Sequence, residues 1–194
     1  LVDNEEDLKT LFDLEASTNL RLIGEQGGLS GIGLDELVFG VPNFRLINAA
    51  FTYAGPFGSR FNGPDRGAWY ASFDIETALA EVIFHKTMEL AEINYFNNTT
   101  NYSDILADFN CELHDLRGND AFISSLDPND YRASQNLAAS LQGEGSLGLV
   151  YPSVRHDRGT NIACFRPALV GNVRRASSYR LMWDGTTAPN VSLL

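Results

Sequence analysis

Positive charge is scarce in this chain. Fourteen Lys and Arg stand against 25 Asp and Glu, a net charge of −11 over 194 residues. That surplus repels phosphate backbones, so direct binding of DNA or RNA is not expected. A small phosphate-bearing ligand stays compatible, because a few local arginines suffice to hold one, and so does a basic partner protein. Cysteine is limited to Cys111 and Cys164, too few for a disulfide framework, and both read as reduced core residues. His85, His114 and His156 show no metal-ligand spacing with them, so no metal is expected. No apolar run approaches the roughly 18–20 residues of a membrane helix. The opening Leu1-Val2-Asp3-Asn4-Glu5-Glu6-Asp7 is acidic where a secretory signal is basic. The expectation is a cytoplasmic protein; the sequon-like stretch Asn97 to Ser103 reads as chance in an Asn/Thr-rich loop.

What is present looks like an ordinary globular chain, 44% hydrophobic and 20% charged. Leu8, Leu11, Phe12 and Glu15 recur at helical spacing within Glu5 to Thr18. Gly24 to Gly33 reads as a loop, Phe44-Arg45-Leu46-Ile47 as a first strand, and the Gly/Pro-dense Ala54 to Gly67 as a loop or tight hairpin. Ala68 to Ala71 reads as a short strand. Asp74 stands where an N-cap belongs, before a helix over about Ile75 to Leu90. Asp104 to Leu116 mixes apolar and polar residues as a strand does. Asp127-Pro128 marks another helix start, running to about Leu141 and stopping at Gly143. Leu147 to Tyr151, Ile162 to Phe165 and Tyr179 to Trp183 complete the expected strands. Strands and helices without regular βαβ alternation predict an α+β fold, mixed sheets flanked by helices. With no repeat or linker, residues 1–194 read as one compact domain, with 1–40 as an N-terminal helical and loop extension.

Glu81 is the most informative candidate. It is the only polar residue in Ala78-Leu79-Ala80-Glu81-Val82-Ile83-Phe84. A helix apolar around its circumference is expected to be buried on most sides. An unpaired carboxylate there costs several kcal/mol, so Glu81 should face a cleft or meet a cation. The alternatives are a structural ion pair or a narrow wet stripe. Arg60 lies in Gly55-Pro56-Phe57-Gly58-Ser59-Arg60-Phe61-Asn62-Gly63-Pro64, where glycines let the backbone approach a ligand and the guanidinium can fork onto phosphate oxygens. By itself such an arginine is more often merely solvated. Arg45 is a candidate second cation, or a strand residue facing solvent. Tyr70 is a candidate ligand-packing ring, or a core aromatic with its hydroxyl bonded. Ser153 ends an apolar strand after Pro152, a setting shared by functional strand ends and ordinary turns. No Gly-x-Ser-x-Gly elbow surrounds it, so a serine hydrolase is a weak reading.

Taken together, five blocks in order resemble the RES domain family. They are Gly58-Ser59-Arg60-Phe61, Trp69-Tyr70, Ala78-Leu79-Ala80-Glu81, Tyr151-Pro152-Ser153-Val154-Arg155 and Asn161-Ile162-Ala163-Cys164-Phe165-Arg166-Pro167. Cys111 to Gly118 and Val38-Phe39-Gly40 also look familial. Many members of the family have Gly-Gly-Arg-Trp at the first block, a mild departure. The resemblance implies an ADP-ribosyltransferase-like fold and a toxin that depletes NAD by cleaving its nicotinamide–ribose bond, as a glycohydrolase or a phosphorylase. NAD would be a consumed substrate, not a bound cofactor. A Rossmann-type redox use is disfavoured, since no Gly-x-Gly-x-x-Gly follows a strand. The partner implied is an Xre-type helix-turn-helix antitoxin, in a hetero-oligomer. The resemblance assigns catalysis to Arg60, Glu81 and Ser153, and substrate binding to Arg45, Tyr70 and Asn161. The alternatives are ADP-ribosyl transfer to a protein target, or a domain that binds without turnover.

Overall fold

The computed structural model describes residues 31–118, 122 and 126–194. The expected helix over Glu5 to Thr18, most of the Gly24 to Gly33 loop and most of the 1–40 extension lie outside the described residues. The described chain is an α+β arrangement of helices and two sheets.

Residues Phe44–Thr52 form a helix, α1, and not the expected strand. Its buried residues are Ile47, Asn48, Phe51 and Thr52, the spacing of one helical face. The four residues read as a strand were too short a window to separate period 2 from period 3.6, and Ala49 and Ala50 favour continuing the helix. Both ends of the Asn48 amide bind the Val38 backbone, at 2.9 and 3.0 Å, which fixes the approach to α1.

A four-stranded sheet forms the centre. It comprises β1 (Trp69–Ser72), β3 (His114–Asp115), β4 (Gly148–Pro152) and β5 (Thr160–Cys164), in the order β1-β5-β4-β3. β5 pairs antiparallel with β1 and β4, while β3 runs parallel to β4. Because side chains alternate across a strand, the register sorts them into two faces. One face carries Trp69, Ala71, Val150, Ile162 and Cys164, packed with Ile47 and Phe51 of α1. The other carries Tyr70, Ala163 and Leu149 in one row, packed with Phe61, Phe165 and Leu116. Two apolar faces explain why β4 and β5 read as nearly continuous apolar runs.

The helix α2 (Ile75–Glu92) starts where expected, with the Asp74 carboxylate accepting from Thr77 N at 2.7 Å. Only Thr77 and Leu90 are fully buried along it, so the expectation of burial on most sides needs correcting. One flank packs and another lines open space, which keeps most of its apolar residues half-buried. The packed flank meets the second sheet, β2 (Asn97–Asp108), β6 (Gly171–Asp184) and β7 (Asn190–Leu193), antiparallel in the order β2-β6-β7. There Leu79, Val82, Ile83 and Leu90 contact Leu181 and Trp183. β2 begins at Asn97, not Asp104, and ends at Asp108, so the Asn/Thr-rich stretch read as a loop is strand. Its exposure alternates almost residue by residue, as a half-buried strand requires, and threonine suits that surface.

The last helix, α3 (Arg132–Gly143), begins later than the Asp127-Pro128 signal indicated. Asp127 accepts from the amides of Asn129 and Asp130 at 2.7 and 3.1 Å, so it caps a turn that precedes the helix. Among the described residues, no helix is long and apolar enough to cross a membrane.

Candidate active site

Two rows cross the inner face of the central sheet. The second row, Ser72–Asn161–Tyr151, borders a cleft of about 1150 Å³. The other wall is α2, which contributes Ala78, Glu81, Val82, His85 and Met88. Phe84, Lys86, Glu89 and Glu92 of α2 line it as well, so the cleft follows a broad face of the helix and not a single stripe.

Glu81 is brought to the sheet through its own first turn. Thr77, one turn earlier on the same face, is fully buried and bonds His156 Nδ1 at 2.8 Å. That contact holds the loop 153–159 against the helix. Gly159 has to be glycine there, because a Cβ would sit 2.4 Å from Thr77 Oγ1. Ser153, whose backbone amide donates to Gly159 O, then reaches Glu81 Oε1 at 2.9 Å. Asn161 Nδ2 donates to the same oxygen at 3.0 Å. Among the described residues, Oε2 takes no hydrogen bond and Glu81 makes no ion pair. One oxygen is thus pinned by two donors, and the residue lines the cleft. The structural ion pair considered from sequence is absent from the described residues.

The direction of these bonds is fixed. The Ser153 hydroxyl oxygen accepts from the amides of Arg155 and His156, both at 3.1 Å, which leaves its single proton for Glu81. The Asn161 carbonyl accepts from Ser72 Oγ at 2.6 Å, which leaves its NH2 for Glu81.

Arg60 sits at the tip of a tight reversal in which Ser59 N donates to Asn62 O at 2.9 Å. Gly58 makes the turn possible: its φ is +69°, and a Cβ would lie 2.1 Å from Asn62 O. Far from being solvated, Arg60 is 7% exposed. Its guanidinium lies 4.5 Å from the centre of the Tyr131 ring and donates to Asp127 O at 2.8 Å. Among the described residues it meets no carboxylate. A desolvated cation with no carboxylate partner among the described residues, lining a cleft, is chemically suited to meet an anion. From α3, Gln135 braces the same loop by donating to Phe57 O and Ser59 O, both at 2.9 Å.

Tyr70 lines the cleft with its ring, but its hydroxyl serves the loop. It accepts from Phe61 N at 2.8 Å and donates to Asn62 Oδ1 at 2.9 Å. Burial raises its pKa. Burial likewise raises that of Tyr151, with the neighbouring Tyr70 and Glu81 adding to the effect. Burial pushes His85 below its ordinary value; Glu81 opposes that shift, and Arg155 and Arg60 reinforce it.

Arg45 falls elsewhere. It is exposed on α1, beside Phe44, and does not line the cleft, because the turn to helix points it away from the sheet. Among the described residues, no group of three or more His, Cys, Asp or Glu is arranged to hold a metal.

A family model for the RES domain matches residues 37–184. The chain belongs to the RES domain family. RES domains are associated with toxin–antitoxin systems and with the use of NAD, which implies an antitoxin partner. No curated protein matches the chain in a sequence comparison.

Within this RES domain, Arg60, Tyr70, Glu81 and Asn161 border one cleft, and Ser153 joins it through Glu81. Sequence reasoning did not single out Ser72 or Tyr131, and Tyr151 and Arg155 entered it only as positions of the block around Ser153. Strand alternation gave a usable signal for two of them, since Ser72 lies two residues beyond Tyr70 and Tyr151 two before Ser153. Arg155 stacks 3.3 Å over the centre of the Phe84 ring and donates to Pro128 O. The roles of Tyr131 and Arg155 depend on contacts between distant segments, which no local pattern reports.

Proposed function

We propose that this RES domain is a toxin that cleaves the nicotinamide–ribose bond of NAD. The observation that carries the reading is the pairing, in one cleft, of two charges that meet no ion-pair partner among the described residues: Glu81, with two donors on one oxygen, and the desolvated Arg60. When the C–N bond breaks, its electron pair leaves with neutral nicotinamide and positive charge builds on the ribose. A fixed carboxylate stabilises that charge, or a ribose hydroxyl that shares it, without reorganising at the moment of reaction. Arg60 supplies a cation for the pyrophosphate. Tyr70 offers a ring face to nicotinamide or ribose. Ser153 orients Glu81, and Asn161 does so too, with one amide proton still free for substrate.

The new bond at the ribose carbon forms to an oxygen of water, with loss of a proton to solvent, or to an oxygen of inorganic phosphate. The fold type that supports this chemistry is ADP-ribosyltransferase-like. The partner in this reading is an Xre-type helix-turn-helix antitoxin that covers the cleft near Arg60. Hydrogen exchange that slows around residues 57–62 on antitoxin binding supports this, and unchanged exchange there refutes it. The reaction itself is tested by mass analysis of the products made from NAD. Free ADP-ribose identifies a glycohydrolase, its phosphorylated form a phosphorylase, and a labelled protein identifies a transferase. Intact NAD with bound nucleotide identifies a domain that only binds.

A further inference from the structure

We infer that Ser72 is a positioning residue for this cleft, acting on the Glu81 carboxylate through Asn161; the inference rests on the reading of Glu81 given above. Three features carry it. Ser72 and Asn161 are cross-strand partners on β1 and β5, so their side chains leave the same face of the sheet side by side. The Ser72 hydroxyl donates to Asn161 Oδ1 at 2.6 Å, and Asn161 Nδ2 donates onward to Glu81 Oε1 at 3.0 Å. Asn161 is itself 2% exposed, so bulk water does not replace a lost partner.

An asparagine amide turns easily about its terminal torsion, and its two ends are nearly the same shape. Which end faces Glu81 decides between a hydrogen bond and a clash of two acceptors. Ser72 binds the carbonyl end and so favours the orientation that aims NH2 at the carboxylate. The chain Ser72→Asn161→Glu81 runs in one sense, and each bond polarises the next. A second donor, Ser153, converges on the same oxygen. The Glu81 carboxylate is thereby held by two donors on one oxygen. Ser72 is not a catalytic residue in this account, since it works through Asn161.

Removing the hydroxyl loosens the amide and weakens its bond to the carboxylate. The test follows the Asn161 side-chain NH2 by NMR in isotope-labelled, nucleotide-free protein, with the resonances assigned by their loss in Asn161→Asp. In Ser72→Ala their exchange with water should quicken about tenfold, and Ser72→Thr, which keeps the hydroxyl on a strand-compatible side chain, should restore the slow exchange. With NAD as substrate, Ser72→Ala should lower kcat about tenfold, with KM nearly unchanged, and Ser72→Thr should restore it. Unchanged exchange of the Asn161 NH2 in a folded Ser72→Ala protein overturns the inference, as does an unchanged kcat in an enzyme that cleaves NAD. The exchange is read without NAD, so failure of the NAD reading shows up separately, as absent turnover in the unmutated protein.

Discussion

The two sheets differ in their strands and in their surroundings: those of the central sheet run to 5 residues at most, while β2 and β6 of the second run to 12 and 14. The central sheet is covered on both faces, by α1 on one side and by the Phe61–Phe165–Leu116 cluster on the other. The second sheet packs Leu181 and Trp183 against α2 and leaves much of the rest open, with every residue of β7 exposed. The central sheet carries the cleft residues Tyr70, Ser72, Tyr151 and Asn161; the second contributes only Tyr102 to the lining. A sheet locked on both faces cannot slip its register without turning core side chains outward. That rigidity is what a carboxylate held by two fixed donors requires.

Breaking the central sheet should therefore cost the most. Leu149→Ala empties a fully buried site in β4, with an expected loss of about 2–5 kcal/mol in chemical denaturation. A change on the open face of the second sheet, Met182→Ala at a 43% exposed position, should stay within about 0.5 kcal/mol. Equal losses at the two positions would erase the distinction.

The next largest effect separates function from folding. Glu81→Gln keeps the shape and an acceptor for Ser153 and Asn161 but removes the charge. NAD cleavage should fall about 10²-fold or more while the denaturation midpoint moves little. An active Glu81→Gln enzyme would remove the electrostatic role given to this residue.

A smaller effect sharpens the edge of the core. The Glu36 carboxylate bridges Arg66 at 2.9 Å and Arg166 at 2.7 Å, tying the start of the described chain to the segments flanking β1 and β5. The hydrogen bond from Arg66 leads the causes that lower its pKa below the usual 4.5, against the opposing effect of burial. A pKa lowered by folding means stability that is present in full above the ordinary carboxylate range and disappears as pH falls through the lowered value. Glu36→Gln should thus be less stable than the unmutated protein at neutral pH, and the gap should close on acidification below about pH 4. A gap that widens in acid would contradict the linkage.

The same contrast governs what could be read from the sequence. The locked elements were legible: Asp74 as a cap, the helix after it, and the apolar runs of β4 and β5. The apolar runs agree with burial on both faces of the sheet, and the Asp74 cap is a local signal that holds however far the helix is buried. Phe44 to Ile47 was misread because its tetrapeptide fits a strand as well as a helix, and only packing against Trp69 and Ile162 decides. Asn97 to Ser103 was misread because an open strand needs few apolar residues. Within the cleft, Glu81 stood out as the only polar residue of its segment, while Arg60 gained weight only from the resemblance between blocks. Ser72 and Tyr131 did not stand out, since a serine in a strand and a tyrosine before a helix look ordinary until the chain folds. Arg45 drew attention only through the strand assigned to it, and it lost its place when that segment proved to be helix.

The most direct test is nicotinamide release from NAD by the purified protein, with and without inorganic phosphate, beside Arg60→Ala and Glu81→Ala. The account predicts release by the unmutated chain under at least one condition, and its loss in both variants. No release under either condition, or release that survives both substitutions, would contradict it.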